Sequence, residues 1–207
     1  MRLASNRAQY LGAGALEESA HTQEVGTRVR AFFGLPLPDA QRAALAEFLN
    51  GCAESAPGFR WTPGSNLHLT IRFIGQADVS VVEGIADRLS VASLPAFDVE
   101  LGELGTFKRG RLVRVVWQGL ALGSQAVTAL ARQVDVECAA AGFATEKRPF
   151  QAHLTLARSR AREGAPLPML PRPPRPGPWR VDELVLYQSR LGRAGAVYEP
   201  LRVLKLE

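Results

Sequence analysis

The sequence predicts an α+β fold: two similar lobes, each an antiparallel sheet covered by helices, with a groove between them. Two observations carry this expectation. Strand-like alternation and helix-like periodicity follow one another in both halves of the chain. In addition, a four-residue unit, His68-Leu69-Thr70-Ile71, returns as His153-Leu154-Thr155-Leu156, each time within a strand-like run. At 207 residues with 46% hydrophobic content, the chain suffices for one core, so the two lobes are expected to share a single domain.

The elements follow in order. Residues 1–27 are rich in Ala, Gly, Gln and Glu without a sustained period, and are read as an N-terminal extension, flexible in character, that precedes a folded domain over 28–207. Arg28–Gly34 reads as a strand. Pro36, Pro38 and Asp39 lead into a helix over Ala40–Asn50, with Ala44, Leu45 and Phe48 at helical spacing. Phe59–Trp61 is a short strand and Leu67–Gly75 a stronger one. Val79–Val91 is a helix with Val82, Ile85, Ala86 and Leu89 on one side. Phe97–Leu104 and Leu112–Leu120 form an antiparallel pair around the polar turn Lys108–Arg111. Ser124–Ala141 is a helix stopped by Gly142, and Ala152–Ala157 a strand. Residues 164–178 hold seven prolines and are read as an extended loop crossing between lobes. Val181–Ser189 and Tyr198–Leu206 close the chain as two strands joined by the turn Gly192–Gly195.

Composition narrows the function. No apolar run approaches the roughly 20 residues a membrane helix needs, and Met1–Tyr10 lacks a signal-peptide core, which predicts a cytoplasmic protein with no membrane partner. Cys52 and Cys138 lie far apart with no CxxC spacing, which argues against zinc and disulfides. Residues 1–103 carry 8 Lys/Arg against 12 Asp/Glu, and residues 104–207 carry 17 against 8, nearly all of the cations being arginine. Such a basic half suits a polyanion, since guanidinium forks match phosphate oxygens; an arginine-rich ordinary surface is the alternative.

The repeated unit supplies the chemistry. Residues i and i+2 of a strand share a face, so His68 and Thr70 point one way while Leu69 and Ile71 point into the core, and likewise for His153 and Thr155. Two such strands facing one cleft would converge two imidazoles and two hydroxyls on a volume the size of a phosphate. A lone His in a strand is usually a packed residue, but two of the chain's three histidines sit in near-identical frames; His21, in the extension, has none. No acidic or Cys partner stands at ligand spacing to either motif, so no metal and no cofactor are expected.

These motifs identify a resemblance to the 2H phosphoesterases, and within them to the bacterial and archaeal RNA 2′,3′-cyclic phosphodiesterases once named 2′-5′ RNA ligases. It covers about residues 28–206, including Arg30–Pro38, Asn66–Gly75, Leu112–Leu120, Gly142–Phe150 and Leu186–Leu191. Ala152 departs from the family, which usually has proline before the second histidine. The resemblance implies hydrolysis of a 2′,3′-cyclic phosphate end on RNA to a 2′-phosphomonoester by a monomeric enzyme, with His68 as proton donor and His153 as proton acceptor. Thr70 and Thr155 would bind the phosphate oxygens. Alternatives are reversible 2′-5′ ligation or cleavage by the same groups, and an RNA- or nucleotide-binding module without turnover. Arg148, five residues before His153, is a further phosphate-binding candidate, and Arg72, i+2 from Thr70, is expected on the His68 face. Phe150 and Tyr187 could stack on a base, and Lys108, Arg109 and Arg111 could follow an RNA backbone, unless they are core and hairpin tip respectively.

Overall fold

The structure, a computed structural model, describes residues 27–192 and 195–207; the extension before Thr27 and the middle of the Gly192–Gly195 turn lie outside them. Among the described residues the order is β1 (Arg28–Pro36), α1 (Asp39–Ser55), β2 (Phe59–Trp61), a 3-10 turn (Gly64–Asn66), β3 (His68–Asp78), α2 (Val79–Ser90), β4 (Phe97–Arg109), β5 (Leu112–Leu122), α3 (Ser124–Ala140), β6 (Leu154–Ser159), β7 (Trp179–Val181), β8 (Glu183–Gly192) and β9 (Gly195–Lys205).

The strands pair antiparallel in the order β7-β4-β5-β6-β3-β1-β8-β9, with β2 added beside β6. Pairing therefore runs through one α+β sheet of nine strands among the described residues. At its middle it narrows to a single register pair, Leu69↔Leu154, between β3 and β6. On either side of that pair the ladders are long: β1 pairs β3 from Arg28↔Asp78 to Pro36↔His68, and β5 pairs β6 from Val115↔Arg158 to Gln118↔Leu154.

One face of the sheet is sealed by helices whose apolar residues recur at three- and four-residue intervals, as a helix packed along one stripe requires. Leu45, Leu49 and Cys52 of α1, Val82, Ile85, Ala86 and Leu89 of α2, and Val127, Leu130, Ala131, Val134 and Cys138 of α3 are all buried. They pack with Leu69, Ile71, Leu154 and Leu156 of the two motif strands in one cluster. A smaller cluster of Ala56, Phe59, Val113, Val116 and Ala157 lies under the proline-rich segment, which lays Ala165, Leu167 and Leu170 on it. That segment is pinned by the mutual hydrogen bonds of Val113 and Ala165 and by Gln118, whose amide donates to the Pro174 carbonyl at 3.1 Å. The loop expected to cross between lobes thus covers this smaller cluster.

Several boundaries differ from those predicted. The first helix continues to Ser55, because Leu49 and Cys52 extend its buried stripe past Asn50. β7 was hidden in the proline run's end and pairs Val99↔Trp179 at the sheet edge, the position where a proline-flanked strand is tolerated. The last motif strand begins at Leu154, so His153 stands on the loop residue just before it. With Leu69↔Leu154 the final pair on the β3 side, nothing there binds residue 153 into a ladder.

Candidate active site

The histidines occupy the sheet face away from the helices, at the narrow junction. Leu69 and Leu154 pair and are buried toward the helices, so the residues flanking them project to the other side. Antiparallel pairing continued by one residue each way sets His68 opposite Thr155 and His153 opposite Thr70. The two motifs are thereby related by an approximate two-fold axis through the leucine pair.

Each imidazole is held in the same way. His68 Nδ1 lies 2.8 Å from the Asn66 carbonyl oxygen and His153 Nδ1 lies 2.7 Å from the Gln151 carbonyl oxygen, in both cases two residues upstream. A carbonyl only accepts, so both Nδ1 atoms carry hydrogen and both Nε2 atoms are acceptors in the neutral rings. Thr70 Oγ1 lies 3.0 Å from His68 Nε2. Thr155 is half-buried and pairs with Trp117 in the ladder beside β6.

The surroundings of the two rings differ. His68 sits among Phe32 at 4.8 Å, Tyr198 at 5.1 Å and Tyr187 at 6.2 Å between ring centroids. Gly34, paired with Thr70, leaves room for it: a Cβ there would stand 3.2 Å from the His68 ring. His153 packs edge-on to Phe107 at 5.1 Å and lies 6.0 Å from Trp117. Trp117 in turn lies over Gly105, where a Cβ would come within 2.2 Å of the indole. Burial pushes the His68 pKa down to about 4, with the charges of Arg158 and His153 adding to the effect and the Asn66 carbonyl opposing it. His153 is lowered too, first by burial and then by Arg158, against its own carbonyl partner. In the free protein both imidazoles are neutral at pH 7.

Arg158 was missed in the sequence, and Arg72 was misplaced, for one reason. Opposite β1, Thr70 pairs with Gly34 and Arg72 with Phe33, which leaves Ile71 as an extra residue. Opposite β5, Thr155 pairs with Trp117 and Ala157 with Val116, which leaves Leu156 extra. A β-bulge thus falls on the fourth residue of each motif and reverses the alternation beyond it. Contrary to expectation, Arg72 turns to the helix side, 8% exposed, where its Nε lies 2.8 Å from Asp135 of α3 and its terminal nitrogens meet Glu146 and the Ala144 carbonyl. Phe73 and Arg158, next in each strand, turn to the histidine face instead.

The other candidates fall as follows. Arg148 is exposed in the loop between α3 and β6, with no hydrogen bond or ion pair among the described residues, and the arginine whose charge both histidines feel is Arg158. Tyr187 reaches the site, while Phe150 packs against the core. Lys108, Arg109 and Arg111 are exposed at the β4–β5 tip. Among the described residues no group of three or more His, Cys, Asp or Glu could hold a metal ion, and no helix is long and apolar enough to cross a membrane.

Known proteins resemble this chain in sequence and fold. An RNA 2′,3′-cyclic phosphodiesterase of Aeropyrum pernix is 32% identical over 167 residues, covering 78% of this chain and 94% of its own. That of Escherichia coli is 27% identical, covering 84% and 94%. The crystal structure of E. coli LigT complexed with 3′-AMP superposes with a TM-score of 0.74 at 26% identity, over 87% of this chain and 99% of that one. TT0787 of Thermus thermophilus gives 0.71 at 27% identity, over 86% and 97%. The model of the 2′-5′ RNA ligase superfamily matches residues 36–193, both histidine motifs within that span, and the chain belongs to this superfamily.

Proposed function

We propose that the protein is an RNA 2′,3′-cyclic phosphodiesterase, a hydrolase that opens a terminal cyclic phosphate to a 2′-phosphomonoester with His68 and His153 as its acid–base pair and no metal. The observation that carries the reading is the two-fold arrangement of His-Leu-Thr about the Leu69↔Leu154 pair, with each Nδ1 tied to a carbonyl and the Thr70 hydroxyl against His68 Nε2. The activity named for the Aeropyrum pernix and E. coli relatives, and the 3′-AMP and phosphate bound by E. coli LigT in its crystal structures, support it.

In the proposed reaction His153 Nε2 takes a proton from water as the water oxygen bonds to phosphorus. His68, as imidazolium, gives its Nε2 proton to the ribose 3′ oxygen as the P–O3′ bond breaks, and the phosphate stays on the 2′ oxygen. In-line displacement needs entering and leaving oxygens on opposite sides of phosphorus, and groups on either side of the axis meet that need. His68 lies deeper, among aromatic rings suited to a ribose and its base, while His153 is the more open to water. Burial keeps His68 neutral in the free protein, and the arriving phosphodiester anion favours its protonated form. Once His68 is protonated its Nε2 no longer accepts from Thr70, whose hydroxyl, with that of Thr155, donates to the non-bridging oxygens as charge builds there. We assign the charged donor to Arg158 rather than Arg148, since its charge reaches both imidazoles.

The test is incubation with a 2′,3′-cyclic mononucleotide in EDTA, with phosphorus NMR of the product. A 2′-phosphate formed at an undiminished rate is expected; a 3′-phosphate, or dependence on added metal, refutes the assignment. His68→Ala and His153→Ala should each lower kcat at least about 10²-fold, and the double variant should lose far less than the product of the two.

A further inference from the structure

Beyond the histidines the open face continues into a groove of about 820 Å³, walled by β2 and β6 on one side and by the β8–β9 hairpin on the other. Its floor carries an arrangement that is costly without a ligand. Arg60 of β2 and Arg158 of β6 are paired directly across the ladder, like charge against like charge. Both are exposed, and among the described residues neither side chain forms an ion pair or a hydrogen bond. Arg160, two residues beyond Arg158, joins them in the groove, its Nε donating to the Pro57 carbonyl at 3.1 Å while its terminal nitrogens have no partner among the described residues. Trp61 and Tyr198 line the same groove. The hairpin wall is fixed by Asn66, whose amide donates to the Ala196 carbonyl at 2.6 Å while its own carbonyl holds His68.

With no counter-ion among the described residues, Arg60 and Arg160, in a cavity of nucleotide size that Tyr198 and the partly buried Trp61 also line, match one internal phosphodiester. Arg158 reaches the histidines from one end of this row, so a chain whose terminal phosphate lies between the histidines has its next phosphate near Arg60 and Arg160. We propose that the Arg60–Arg160 groove is a second subsite that binds the internal phosphate of the preceding nucleotide in single-stranded RNA. This rests on the reading of the histidine site as the seat of the terminal phosphate, and it makes the protein selective for RNA chains over mononucleotides.

The experiment compares adenosine 2′-phosphate with a diadenosine ending in the same 2′-phosphate, titrated calorimetrically into the wild type and into Arg60→Gln and Arg160→Gln. The dinucleotide should bind the wild type more tightly, and each variant should weaken it by about tenfold more than the mononucleotide. Replacing the internal phosphate by a neutral methylphosphonate should weaken wild-type binding and leave the Arg60→Gln variant little further affected. Equal losses for both ligands, or none for either, would overturn the proposal. Turnover of a cyclic mononucleotide by the wild type separately tests the histidine site, so the two ideas can fail independently.

Discussion

The carbonyls of Asn66 and Gln151 decide which nitrogen of each imidazole is the acceptor in the proposed reaction, and burial decides how readily that nitrogen takes a proton. Both pKa values lie below the ordinary 6.5, that of His68 near 4. A one-acid, one-base reaction uses the singly protonated pair, whose population in the free protein peaks midway between the two coupled values. The bell in kcat/KM should therefore centre below pH 6.5. That in kcat should centre higher, because the bound phosphodiester anion raises both values. Rates on a cyclic mononucleotide between pH 4 and 9 would show this, and coincident maxima, or a flat profile, would contradict it.

At the scale of the strand, the two bulges separate arginines that simple alternation confuses. Arg72→Ala should cost about 3 kcal/mol of stability, since it strips Asp135 and Glu146 of their buried partner, yet leave kcat nearly unchanged. Arg158→Ala should do the reverse, with an unfolding midpoint close to wild type and turnover lowered at least about 10-fold. Urea titration beside steady-state rates would check the pair together. A companion test concerns Gly105→Ala, whose methyl would enter the indole of Trp117; displacing that ring should cost about 1–3 kcal/mol and disturb His153. Retention of both full stability and full rate would show that Trp117 does not position the histidine. The same bulges explain what was legible beforehand. The paired histidines and threonines, and the helices carrying Val82–Leu89 and Val127–Cys138, were readable from period alone, since each sits in an uninterrupted run. The faces of Arg72 and Arg158 were not, because the extra residues Ile71 and Leu156 are ordinary apolar strand residues and leave no mark in the sequence. β7 escaped because its three residues follow a proline run that hid them.

For the molecule as a whole, the same histidines make the fold sensitive to acid. Their folded-state values are depressed, so below about pH 6.5 the unfolded chain takes up protons that the native protein refuses, His68 until near pH 4. The stabilising contribution is present above that window and is lost as pH falls through it. His68→Gln should accordingly flatten the dependence of Tm on pH between 7 and 4.5 relative to wild type. Parallel curves would mean that His68 titrates normally in the native state. The approximate axis through Leu69 and Leu154 has one more effect. In the proposed reaction similar groups stand on both sides of phosphorus, so the fold gives the displacement no arrow: the histidine that accepts a proton as a bond forms is, read backward, the one that donates as that bond breaks. A ribose hydroxyl in water's position would be joined by the same residues. On that reading, whether a strand is cut or joined is set by which nucleophile fills that position and by the relative concentrations of the reactants.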